Sequence, residues 1–172
     1  MRHLPLFAFL AFLTAVACRT TTTTTTTSTG GTSTAAIDDS DCNLSTPLQP
    51  GVPGSPGNLV KSPRNPNGDS ELALMMRLFV DDLQKARALA EAGEPIEKMY
   101  PRHKRMRCAW PTKPEERNAG FDGRAQGYLA AVRAFDDAPG KTTYNAIVAN
   151  CIACHNVSCG GVLEFIGSMQ WK

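Results

Sequence analysis

Apolar positions recur at steps of three and four through "DSELALMMRLFVDDLQKARALAEAG", residues 69 to 93. Leu72, Met76, Phe79, Leu83, Ala86 and Ala90 fall on one face, which predicts a helix of about 22 residues. Ser70 or Asp69 can cap its first turn, Glu71 suits the positive end of the dipole, and Gly93 supplies a stop. A second periodic stretch covers 114 to 137, with Phe121, Tyr128, Val132 and Phe135 inward. Gly120, Gly123 and Gly127 weaken its first half, so the firm portion runs from Arg124 to Asp137. After the turn "APGK", the segment "TTYNAIVANCIACHNV" places Tyr144, Ile147, Val148, Cys151, Ile152 and His155 at near-helical steps. Gly160 and Gly161 could end that helix or its next turn. Between the first two patterns lie prolines 95, 101, 111 and 114, so any helix there is short or interrupted. Strand alternation is almost absent. The expected fold is all-α, a four-helix bundle with a short or interrupted second helix, and Phe79, Tyr128, Phe135, Tyr144 and Ile147 in its interior.

Before residue 69 the periodicity disappears. A polythreonine run and the stretch "LQPGVPGSPGNLVKSPRNPNG" cannot build a core, so 18–68 reads as a Thr/Pro/Gly-rich disordered tether ahead of a helical domain over 69–172. The chain opens with "MRHLPLFAFLAFLTAVAC", a basic start followed by a short apolar run, which marks 1–17 as an export signal. "TAVAC" resembles the lipobox of bacterial lipoproteins, which implies a lipid anchor on Cys18. With Arg19 behind it, the expected location is the periplasmic face of the outer membrane. Charge adds little: 18 Lys+Arg against 16 Asp+Glu gives no reason to invoke nucleic acid.

An exported chain permits disulfides and is where bacteria attach c-type haem, which changes how the cysteines read. Beyond Cys18 there are Cys42, Cys108, Cys151, Cys154 and Cys159. "CIACH" at 151–155 is the covalent haem pattern: two sulfurs three positions apart face one side of a helix, and His155 can turn a ring nitrogen onto iron. A redox dithiol would want a βαβ setting that the pattern lacks. Zinc on Cys151, Cys154, His155 and Cys159 has suitable donors, but neighbouring Cys154 and His155 fit poorly around one ion. Cys108 and Cys159 could pair as a disulfide, and Cys42 could partner a stray domain cysteine.

The late C-x-x-C-H, preceded by "YLAAVRAF" and "TTYNAIVAN", resembles the four-helix-bundle cytochromes c-prime and their six-coordinate relatives over about residues 70 to 172. The resemblance implies one haem c bound through Cys151 and Cys154, with His155 as an axial ligand and Met76, in "LMMRL", as the second. Met75, His103 and Met106 are the other candidates, and the iron could also lack a sixth ligand. His103 stands among four basic residues, which favours an exposed neutral ring. Cys159 stands where that family usually carries a basic residue. Arg77, Arg124 and Arg133 are candidates for pairing with haem propionates. The basic run Lys98, Arg102, Lys104, Arg105 and Arg107 reads as a solvated edge or as a docking patch for an acidic redox partner. The expected function is a membrane-tethered monohaem electron carrier served by a redox partner protein. The alternative is a five-coordinate haem protein that binds nitric oxide or similar gases. Neither is an enzyme, and a homodimer is compatible with both.

Overall fold

The computed structural model describes residues 41–172. The export segment 1–17, the anchor at Cys18 and the polythreonine part of the tether lie outside the described residues. Helix α1, Glu71–Ala92, begins where Ser70 Oγ accepts from the Ala73 amide at 3.2 Å and ends at Gly93 in the left-handed conformation, φ 69°. Helix α3, Ala119–Asp137, starts earlier than its firm portion because Asn118 caps it, accepting from the Phe121 amide at 3.0 Å. Helix α4, Lys141–His155, follows after a short turn and packs closely against α3. Gly127 permits the approach: a Cβ there would stand 3.1 Å from Asn150 Oδ1. Phe135, Leu129, Val132, Ile147 and Val148 are fully buried in this pair.

The architecture is not the four-helix bundle that periodicity suggests. Between α1 and α3 the chain forms only α2, Tyr100–His103, and two 3-10 turns, Lys104–Cys108 and Pro114–Glu116. Pro101 suits a helix start, while Pro111 and Pro114 prevent any continuation. Nor does the cysteine-bearing helix end the fold. Past it, a third 3-10 turn, Gly160–Val162, leads into α5, Leu163–Ser168. A two-stranded antiparallel hairpin precedes α1, with β1 at Val60–Ser62 and β2 at Asn65–Asp69.

Within the stretch expected as a tether, residues 41 to 69 carry turns and this hairpin, joined to the helical part at several points. Cys42 and Cys108 form a disulfide across 66 positions. Arg117 donates to the carbonyls of Asn43 and Thr46, both at 2.7 Å, and Trp110 Nε1 donates to Gln49 O at 2.7 Å. The Glu71 amide donates to Gly54 O at 3.1 Å. At Gly54, φ 91°, a Cβ would fall 2.1 Å from the Glu71 nitrogen, so only glycine fits that crossing. The pairing that ties Cys108 is therefore Cys42, not Cys159. The basic run is largely neutralised: Lys98 meets Asp137, Arg102 meets Asp82, Lys104 meets Asp41 and Arg107 meets Asp122. The last pair is buried and bidentate, at 2.7 and 2.8 Å, and locks the 3-10 turn to α3.

Two stability measurements follow. Cys42→Ser should lower the unfolding free energy by about 2–4 kcal/mol, because a long loop in the unfolded chain is no longer closed; an unchanged denaturant midpoint would contradict the bond. Asp122→Ala strands a buried guanidinium and should cost about 3–5 kcal/mol, whereas the double change Arg107→Met with Asp122→Leu should cost far less. Equal losses in the two variants would show that the charges are not what holds the turn.

Candidate functional site

Close packing of α3 on α4 is not repeated by α1, which approaches neither as nearly. The space between holds a cavity of about 590 Å³. Ala73, Met76 and Val80, one stripe of α1, form one wall; Val148, Cys151, Cys154 and His155 of α4 form the opposite one. Met106 and Tyr128 also line it, as do Val162, Phe165, Ile166 and Met169 from the segment after α4. Val162 and Phe165 are 42% and 49% exposed, so this apolar wall reaches solvent. The turn that brings α5 back requires Cys159 in the left-handed region, φ 62°, the sole non-glycine residue so placed among those described. Its carbonyl lies 3.4 Å from His155 Nδ1. A proton on Nδ1 would therefore be held by the backbone, leaving Nε2 with its lone pair.

The leading site residues of the sequence thus share one cavity, Met76, Cys151, Cys154 and His155, together with Cys159, Arg77 and Arg124. Met75 is partly buried against the core without lining the cavity. Cys151, Cys154 and Cys159 carry free thiols. Burial, and then the neighbouring Cys154, push the Cys151 thiol up to about 12, so it stays protonated at neutral pH and is no ready nucleophile. Met106, one of the alternative ligand candidates, does line the cavity, whereas the α5 side chains and Arg64 were not found by sequence reasoning as parts of a site. The apolar spacing of Val162, Phe165, Ile166 and Met169 was the signal that could have shown the α5 wall.

His103 overturns its expected exposure: it is fully buried. Its ring stacks on Phe79 at 3.9 Å between centroids and lies nearly parallel to that of Tyr128. Asp82 Oδ2 stands 3.1 Å from Nε2, and the Tyr128 hydroxyl 2.7 Å from Nδ1. A carboxylate can only accept, so Nε2 carries the proton and the phenol donates to Nδ1. Desolvation lowers the His103 pKa below 6.5, against the raising effects of Asp82 and Asp136, with Arg102 assisting the decrease. Burial likewise pushes the Tyr128 phenol well above its ordinary value. The imidazole is thus a neutral cross-link beside the cavity, not a ligand exposed to solvent.

No protein-family model, no curated protein and no solved structure matches this chain. The resemblance to the c-prime cytochromes is accordingly corrected, since the five helices and hairpin depart from that bundle. The expectation of one covalent haem c is corrected with it, along with iron binding, electron carriage and the gas-binding alternative. Among the described residues no group of three or more His, Cys, Asp and Glu side chains is gathered as it would be around a metal ion. The cysteine bond that forms among them is Cys42–Cys108. None of their helices is long and apolar enough to cross a membrane.

The pH dependence of stability checks the His103 assignment. Its folded pKa lies below the ordinary 6.5, so between those values the unfolded chain binds the extra proton and stability falls as pH drops. Asp69 and Asp122, held below 3.8 chiefly by Arg77 and Arg107, add their losses only at lower pH. Denaturant titrations should show a decline beginning near pH 6.5. His103→Gln should flatten that part of the curve while costing about 1–3 kcal/mol at neutral pH. A decline of the same size in the variant would remove His103 as its source.

Proposed function

We propose that this chain is an exported binding protein that holds one bulky, mainly apolar ligand or cofactor between α1 and α4. Met76, Cys151, Cys154 and His155 are its contacting residues. The observation that carries this reading is the cavity of about 590 Å³ in a domain of this size, lined by all four. Well-packed interiors leave few voids larger than a water molecule, and an apolar opening of this volume falls in the range of small-molecule sites. A binding role is favoured over catalysis by the protonated state of the Cys151 thiol and by the engagement of His103 in structural hydrogen bonds. The two thiols and the imidazole give the wall soft, directional contacts that plain aliphatic side chains would not.

Export is supported by the Cys42–Cys108 disulfide, since such bonds persist where thiols are oxidised. With the apolar start of the chain and Cys18, it favours a lipoprotein held at the periplasmic face of the outer membrane. The anchor and signal lie outside the described residues, so this part rests on sequence.

Binding of the neutral apolar dye Nile red to the full chain tests the proposal. Saturable one-to-one binding is expected, with slower maleimide labelling of Cys154 in the bound form. Val80→Trp, which fills the cavity from α1, should weaken the dye at least tenfold without lowering the melting temperature. Dye binding that is non-saturable, or unaffected by Val80→Trp, would defeat the proposal.

A further inference from the structure

Resting on that binding role, we infer that the molecule accepted by the cavity is an amphipath with a carboxylate head, and that Arg124 receives that head. Three guanidinium groups line the cavity, those of Arg64, Arg77 and Arg124, and no aspartate or glutamate does among the described residues. The three are not equivalent. Arg77 is already neutralised by a bidentate pair with Asp69. Arg64 sits in the hairpin turn and is exposed to water. Arg124 is different: its Nε is buried and has no hydrogen-bond partner among the described residues.

A buried donor on a permanently charged group is costly to leave unmade, and an anion brought by the ligand would complete it. The Nε and Nη edge of one guanidinium matches the two oxygens of a carboxylate, which makes a monocarboxylate the simplest occupant. Its apolar body would extend along Met76, Val80 and Val148 toward Phe165, where the cavity wall reaches solvent.

The test compares palmitate with hexadecanol, which differ at the head and share the chain, as competitors for Nile red in the full chain at neutral pH. Palmitate should displace the dye at least tenfold more effectively. Arg124→Gln should close that gap while leaving hexadecanol and the dye itself unchanged, and Arg124→Lys should restore part of it. Since Arg124 Nε has no partner to lose, the melting temperature of Arg124→Gln should match the parent. Equal displacement by the two compounds, a gap that survives Arg124→Gln, or dye that palmitate cannot displace would overturn the inference while leaving the cavity's binding role intact. Absence of dye binding altogether would instead bring down the binding role itself.

Discussion

One buried imidazole joins three parts of this chain that would otherwise have little to hold them together. His103 lies on the proline-rich crossing segment, accepts from Tyr128 on α3, donates to Asp82 on α1 and stacks on Phe79 of the same helix. Because α1 makes few close backbone approaches to α3 or α4, these side-chain contacts are a principal means of positioning it. Arg102 reinforces the link by donating to the second oxygen of Asp82 at 2.8 Å. The crossing segment thus bonds through its polar centre to α1 on one side and to α3 on the other.

An opening of this volume forfeits dispersion contacts along its whole lining, and the surrounding structure has to be firm without them. The compact α3–α4 pair supplies one firm element. The carboxyl end supplies another: Asn145 Nδ2 donates to Trp171 O at 2.9 Å and the Trp171 amide donates back to Asn145 Oδ1 at 2.8 Å. Tyr144 packs its ring edge-on to Trp171, and Arg87 of α1 lies over the same indole at 5.9 Å. Those contacts tie α1, α4 and the carboxyl end together at the end away from Cys154 and His155.

The three long helices were legible in the sequence through their periodic apolar positions, and in α1 also through the Ser70 cap and the Gly93 stop. Phe79, Tyr128, Phe135, Tyr144 and Ile147 were legible as interior residues for the same reason, and all are buried. Met76 and the Cys151 to His155 segment were recognisable as candidate site residues, and the fold does bring them to one cavity. Their chemical meaning was less legible, since a short cysteine–histidine pattern states donor types without stating what they enclose. The fate of His103 could not be read from its basic neighbours. Its environment comes from Asp82 and Tyr128, each more than twenty positions away. Nor did composition reveal the turns and hairpin of residues 41 to 69, because order there depends on a distant cysteine, Trp110 and Arg117 and not on local periodicity.

The Cys42–Cys108 bond has a consequence for when the molecule is finished. Cys108 ends the same 3-10 turn that contributes Met106 to the cavity wall and Arg107 to the buried ion pair. In a reducing cytoplasm that turn would lack its covalent brace, and the wall it supports would be held by weaker forces alone. Formation of that bond would then be the last step of construction, and the Met106 wall of the cavity would be firm only in surroundings that oxidise thiols.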